Sequence, residues 1–349
     1  MKPLKLVHIV RHYGPVGGME RYVWELTKEL AAMGHQITIL CEKMAAEATP
    51  QDIEVVQLGT VHWRPRWLAH LRFSRKVSTW VAANPDSERI IHSHERTAVH
   101  DITTFHGPPF AKVKKKPLWQ RYSPRIFANL WLERRELCGP QVKAIVPNSP
   151  LIADALKQYY PNIEPHLAAA IAPGVGDIHP RVARSVTSDR GVIGFIGTEW
   201  KRKGLDLAVN IVSELKKQRP QVEFIVAGPN PDEIRHLFKG WDGGFQLLGE
   251  IDSTSFYTQL DLLLHPARQE PYGMVIAEAR AAGVPVLVSD NCGIASELNE
   301  NSILRLDDEI NIWRKQCDEL IGQHVESVVR NWRSVAEEQV HCYRNFRIL

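Results

Sequence analysis

Short, continuous apolar runs separated by helical patterns recur along this 349-residue chain, and the series breaks off near the middle and begins again. Runs without a polar face suit strands buried on both sides, and helices between them make the sheet parallel. In the first half, strands are predicted at residues 4–10, 36–41, 53–58, 89–94, 101–105 and 143–147. Helices are predicted at 19–33, 66–83, 118–137 and 150–159, the first ending at Gly34. The second series has strands at 191–196, 222–227, 262–265 and 284–289, with helices at 204–218 and 273–282. Between the series, residues 173–190 gather Pro, Gly and polar side chains and keep no periodicity. The boundary is placed there, giving an α/β chain with domains at 1–172 and 173–324. A last helical pattern at 325–344 is expected to return to the first domain.

Composition narrows the class. The apolar fraction of 44% and charged fraction of 24% suit a soluble globular chain. Five cysteines, odd in number and without a C-x-x-C pair, argue against a disulfide framework or structural zinc and fit a reducing cytoplasm. No run approaches the roughly 18 apolar residues of a membrane span, and residues 4–10 are too short for a signal-peptide core. The charge is uneven: the first 172 residues carry 23 Lys and Arg against 15 Asp and Glu, the remainder 20 against 25. A basic first half can attract a polyanion, an anionic membrane surface or a phosphorylated acceptor, or can be a solvated face.

The chemistry concentrates at strand–loop–helix junctions. Glu270 and Glu278 stand eight residues apart around the start of the predicted helix at 273. The intervening Tyr272, Gly273, Met274 and Val275 would offer free backbone N–H groups to a diphosphate. Carboxylates would repel that phosphate, so Glu270 and Glu278 suit sugar hydroxyls, a hexose and a ribose respectively. Two glutamates at a helix start also occur with no ligand role. After the strand at 191–196, a loop bounded by Gly197 and Gly204 carries Lys201, Arg202 and Lys203, suited to neutralising phosphate. It lacks the P-loop order. Near the N-terminus, Gly17-Gly18 opens a helix and lets backbone approach a ligand. The G-x-G-x-x-G fingerprint of a nicotinamide dehydrogenase is missing.

These pieces in this order resemble the retaining GT-B glycosyltransferases of family 4, also called glycosyl transferases group 1, of the lipopolysaccharide-core type. The resemblance spans nearly the whole chain. It rests on Gly17-Gly18, on Thr104-Phe105-His106-Gly107, on Arg202-Lys203-Gly204, and on Glu270 and Glu278 with the following Ala279-Arg280-Ala281-Ala282-Gly283-Val284-Pro285-Val286. It implies two Rossmann-like domains with parallel sheets facing across a cleft. It further implies donor-sugar contact by Glu270, ribose contact by Glu278, diphosphate binding by Arg202 and Lys203, and His106 near the reacting sugar. His92 and His94 either line the cleft or hold structural hydrogen bonds. Thr198 stands where many members have Arg, and Pro173-Gly174 replaces a usual Asn-Gly.

The expected reaction is transfer of a hexose, with retention, from a nucleotide-diphosphate sugar, a UDP-sugar preferred. No cofactor or metal ion is expected. Basic residues interleave with aromatic ones at Trp63, Arg64, Arg66, Trp67, Arg72, Phe73, Arg75 and Lys76. A second cluster runs through Lys112, Lys114, Lys115, Lys116, Trp119, Arg121, Tyr122 and Arg125. Such clusters fit the inner face of an anionic membrane, approached from the cytoplasm. They point to a lipid-linked or phosphorylated glycan acceptor in lipopolysaccharide or polysaccharide synthesis. Nucleic acid is not expected as a partner, since no recognised binding module accompanies the basic residues. A catalytically silent sugar-nucleotide-binding or membrane-assembly protein on the same fold is the alternative.

Overall fold

The apolar runs of the first half become one parallel sheet. Its strands are β1 (Lys5–Ile9), β3 (Gln36–Cys41), β5 (Ile53–Gln57), β6 (Arg89–Ser93), β7 (Ile102–Phe105) and β8 (Ala144–Pro147). The two-residue strands β2 (His12–Tyr13) and β4 (Lys43–Met44) pair separately. The sheet order is β5-β3-β1-β6-β7-β8, with parallel pairing throughout. The computed structural model describes residues 2–60, 65–117, 119, 121–182 and 184–347. Trp63 and Arg64 of the first basic cluster, and Leu118 at the start of the helix predicted at 118–137, lie outside the described residues.

Helices cover both faces of this sheet. On one side α1 (Gly18–Ala32) and the C-terminal α10 (Trp332–Arg347) share a core in which Leu26 and Leu30 meet Val335, Ala336 and Val340. On the other, α2 (Arg66–Ala83) buries Phe73 and Val77 against Val7, Ile9 and Leu40. Each fully buried side chain of this size contributes roughly 1.5–3 kcal/mol. Around the sheet's end lie α3 (Pro124–Cys138) and α4 (Pro150–Tyr159). This first unit comprises Met1–Gly174 and Trp332–Leu349; the second is Val175–Asn331.

The second unit repeats the plan. Its strands are β9 (Arg190–Ile196), β10 (Gln221–Ala227), β11 (Phe245–Gly249), β12 (Leu262–His265), β13 (Val286–Ser289) and β14 (Ile303–Leu304), in the order β11-β10-β9-β12-β13-β14. Its helices are α5 (Trp200–Lys203), α6 (Leu205–Lys216), α7 (Pro231–Ile234), α8 (Met274–Ala281) and α9 (Ile310–Leu320). Leu205, Ala208 and Val212 of α6 and Trp313 and Cys317 of α9 pack on Ile193, Phe195, Leu262 and Leu264 of the sheet. Counted along its principal strands, each sheet runs 3-2-1-4-5-6. Strand order therefore reverses between β1 and β6, and between β9 and β12. Crevices at the carboxyl ends of such reversals are where this architecture binds ligands.

Several expectations need correction. The helix predicted at 118–137 begins at Pro124, because Ser123 Oγ accepts from the Ile126 amide (3.3 Å) and proline fits the first helical position. A separate 3-10 turn, Phe110–Lys115, precedes it. The last helix begins at Trp332 rather than 325; before it, the Arg330 carbonyl accepts from the Val175 amide (2.7 Å) and the Val328 amide donates to Arg280 (3.2 Å). Strand β11 and helix α9 were not anticipated. The first is an edge strand with alternating exposure, unlike the continuously apolar strands at the sheet's centre. Among the described residues no helix is long and apolar enough to cross a membrane.

Candidate functional site

In the second unit, the phosphate-binding candidates gather at the strand-order reversal. Gly197 follows β9, and the expected loop from Gly197 to Gly204 contains a full helical turn, α5, that carries Lys201, Arg202 and Lys203. Gly204 is left-handed (φ 78°), and a Cβ there would sit 2.0 Å from the Pro266 carbonyl oxygen, so only glycine lets these segments meet. A Cβ on Gly197 would fall 2.3 Å from Lys203 Cδ, so the lysine stem lies across bare backbone. Arg268 ties the following segment down, bonding Asp206 in bidentate fashion (2.8 and 2.7 Å) and the Lys201 carbonyl (2.7 Å).

Glu270 receives this cationic turn. Its Oε2 lies 3.3 Å from Lys203 Nζ, 3.6 Å from an Arg202 guanidinium nitrogen and 3.3 Å from His265 Nε2. Arg202 also bonds Glu199 Oε2 (2.9 and 2.6 Å) and the Gln269 carbonyl (2.5 Å). Burial alone would raise the Glu270 pKa; the His265 hydrogen bond and the charges of Lys203 and Arg202 outweigh it and hold the value down to about 2. The backbone is fixed too, with the Glu270 amide donating to Asn291 (3.0 Å) and its carbonyl accepting from Gly293 (2.9 Å).

Three residues on, Gly273 caps α8. The first amides bonded within the helix are those of Ile276 and Ala277, both to the Gly273 carbonyl (2.9 and 3.1 Å). Met274 and Val275 therefore begin the helix with no intrahelical acceptor for their N–H groups. Glu278 sits one turn inside, buried, and accepts from Tyr257 Oη at 2.6 Å. The Tyr272 side chain is itself buried, its phenol pushed up by burial and by Glu297, so only its backbone is available to a ligand. Arg202, Lys203 and Glu270 thus form one cluster, with Glu270 three residues before the Gly273 cap of α8, while Glu278 bonds Tyr257.

The other named residues belong to the first unit. Gly17 caps α1, and beside Gly18 no atom of the described residues lies within 4 Å of where a Cβ would stand. His106 follows β7, half-buried, with its carbonyl accepting from Asn148 (3.2 Å) and its ring 4.8 Å from that of Tyr22. His92 and His94 hold hydrogen bonds in the interior, the structural alternative for both. At this sheet's reversal point is a cavity of about 1060 Å³ lined by Arg11, Arg66, Arg96 and Arg125 together with Glu20 and Glu95.

Sequence reasoning missed His265 and Tyr257, which orient the two glutamates. His265 ends β12 at the reversal point, a position that could have flagged it; its Nδ1 is buried without a partner among the described residues. Tyr257 carried no signal, since its contact with Glu278 spans 21 residues. Among the described residues, His8, His92 and His94 are the one group close enough to hold a metal ion, with ligand atoms within 4.8 Å of one another. All their hydrogen bonds run to neutral partners. A buried dication there would have no counter-charge, so the donor set suits hydrogen bonding better than a metal.

Comparison with known proteins agrees with this fold. Residues 190–323 match the model of glycosyl transferases group 1, and residues 16–176 that of glycosyltransferase family 4. The lipopolysaccharide glucosyltransferase WaaG of Escherichia coli is 23% identical over 308 residues, covering 81% of this chain and 79% of that protein. A D-inositol 3-phosphate glycosyltransferase of a Nocardioides species is 25% identical over 340 residues, covering 82% and 73%. A crystal structure of WaaG superposes with a TM-score of 0.77 at 18% identity, covering 96% of this chain and 94% of that one. The Anabaena protein Alr3699/HepE in complex with UDP-glucose gives 0.65 at 14% identity, covering 99% and 98%. With its GT-B fold and both domain matches, the chain belongs to the group 1, family 4 glycosyltransferases.

Proposed function

We propose that this glycosyltransferase moves a hexose, with retention, from a nucleotide-diphosphate sugar, a UDP-sugar by preference, to a lipid-linked or phosphorylated glycan acceptor. The setting proposed is cell-surface lipopolysaccharide or polysaccharide synthesis. The observation that carries the reading is the convergence of Lys203 and Arg202 on Glu270 beside the amide-bearing start of α8.

Breaking the bond between the anomeric carbon and the diphosphate leaves positive charge on the sugar ring and negative charge on the leaving group. Lys203, Arg202 and the Met274 and Val275 amides form a fixed positive field for that leaving group, so the proposed reaction calls for no metal ion. Glu270, ionised and oriented by His265, accepts hydrogen bonds from the hexose, and Glu278, held by Tyr257, from the ribose. His106 is assigned to the reacting sugar through the family resemblance. The solved relative bound to UDP-glucose supports the donor class.

For the acceptor, the arginine-lined cavity of the first unit suits a phosphorylated glycan. Exposed Trp119, Tyr122, Phe127 and Trp131 share a short stretch with Lys112, Lys114, Lys115, Lys116, Arg121 and Arg125, which suits the interface of an anionic membrane. Placement at the inner face of the membrane, from the cytoplasm, follows from that reading. In the first basic cluster, by contrast, Phe73 is buried in the core.

A thermal-shift panel of UDP-, GDP- and ADP-sugars tests the donor, and the anomeric coupling in the product's proton NMR spectrum tests retention. Stabilisation by UDP-hexoses and an unchanged anomeric configuration are expected. An inverted product, or no response to any nucleotide sugar, would refute the proposal.

A further inference from the structure

The interior of the first unit holds an unbroken chain of side-chain hydrogen bonds that ends on His106. His8 of β1 and His92 of β6 are direct register partners, and His94 follows β6. His106 Nε2 lies 2.9 Å from His94 Nδ1, and His94 Nε2 lies 3.1 Å from His8 Nδ1. His8 Nε2 is 3.4 Å from Tyr343 Oη on α10, which is 2.7 Å from His92 Nδ1; His92 Nε2 is 2.8 Å from Thr104 Oγ1. Burial pushes the pKa of His8 and of His106 down to about 3 and that of His92 and His94 well below the ordinary value, so all four rings are neutral at pH 7.

A neutral imidazole has one N–H and one lone pair, so fixing a single proton orders the whole chain. The shortest link decides the direction. A phenol is the better donor and an imidazole nitrogen the better acceptor, so Tyr343 donates to His92 Nδ1. His92 then carries its proton on Nε2 and donates to Thr104. Only lone pairs of the Tyr343 oxygen remain for His8, which donates from Nε2 and accepts at Nδ1 from His94 Nε2–H. His94 Nδ1 in turn accepts from His106 Nε2–H. His106 Nδ1 keeps a lone pair and has no hydrogen-bond partner among the described residues.

We propose that His8, His92, His94 and Tyr343 are positioning residues that hold His106 as its Nε2–H tautomer, presenting Nδ1 as an acceptor to a hydroxyl of the bound sugar. This rests on the reading that His106 meets the sugar. The C-terminal helix acts through a second contact as well: the Trp332 ring meets Tyr22 edge-on at 5.4 Å, and Tyr22 meets the His106 ring at 4.8 Å. Ring plane and tautomer are thus both set from α10.

The test combines long-range proton–nitrogen correlation spectra of 15N-histidine-labelled protein with kinetics of Tyr343→Phe and His106→Ala. Wild-type His106 should show its proton on Nε2. Tyr343→Phe should give a mixture of tautomers and lower kcat about tenfold with little change in the donor KM, while circular dichroism stays native. A wild-type proton on Nδ1, an unchanged tautomer and kcat in Tyr343→Phe, or stoichiometric zinc in the purified protein would overturn the proposal. Normal transfer by His106→Ala would instead sink the sugar-contact reading, and the spectra would still decide the ordering.

Discussion

Lys203 places its ammonium 3.3 Å from the Glu270 carboxylate, joining the turn after β9 to the segment after β12 at the point where strand order reverses. Both groups are nearly buried, and Arg202 and His265 share the Glu270 carboxylate with Lys203. Lys203→Ala should lower kcat/KM by about 100-fold or more, the scale of losing one fixed donor to a developing anion. Glu270→Ala should largely abolish transfer while circular dichroism remains native. Because the folded pKa of Glu270 is depressed, its contribution to stability is complete above its ordinary value and is lost as pH falls through about 2. A pH–rate profile should therefore show no Glu270 inflection between about pH 5 and 8.

Gly204→Ala should destabilise the second unit by about 2 kcal/mol or more, since it combines a left-handed backbone with a Cβ placed 2.0 Å from the Pro266 carbonyl oxygen. Urea unfolding would measure it. A wild-type midpoint in the variant would contradict the close approach of these segments.

Glu136 of α3 is wholly buried beside Glu133, with Arg96 and Thr103 as partners. Burial is the largest influence and raises its pKa to about 7. The folded state then holds a proton that the unfolded state has released, so stability falls as pH rises from about 4.5 through 7, by roughly 3 kcal/mol across the window. Glu136→Gln should flatten that part of the stability–pH curve, as read from melting temperatures between about pH 5 and 8. The same slope in both proteins would contradict it.

Membrane binding should depend on both charge and exposed rings. Flotation with vesicles containing anionic lipid should bring the protein up at low salt and release it at about 0.5 M salt, where screening is nearly complete within a few ångströms. Replacing Trp119 and Trp131 together by Ala should weaken flotation several-fold without lowering the melting temperature, because both side chains are exposed. Lipid-independent behaviour at low salt would refute the proposed surface.

The sequence alone determined the two parallel sheets, because a strand buried on both faces must be apolar along its length and that pattern is visible locally. It also determined the α8 start and the cationic turn, since Glu270, Gly273, Lys203 and Gly204 are separated by short, chemically marked stretches. The edge strand β11 escaped because an edge is only half buried, whereas the Pro124 start is marked locally by Ser123 followed by proline. Tertiary structure decided the orienting contacts. Lys203 reaches Glu270, which His265 bonds from five residues away, only because β12 pairs with β9, and Tyr257 finds Glu278 through packing. The histidine chain depends on β1 and β6 being neighbours and on α10 delivering Tyr343 from the far end of the sequence. Hydrogen bonds between residues so distant along the chain leave no local pattern, because each partner satisfies only its own strand or helix until the sheet assembles.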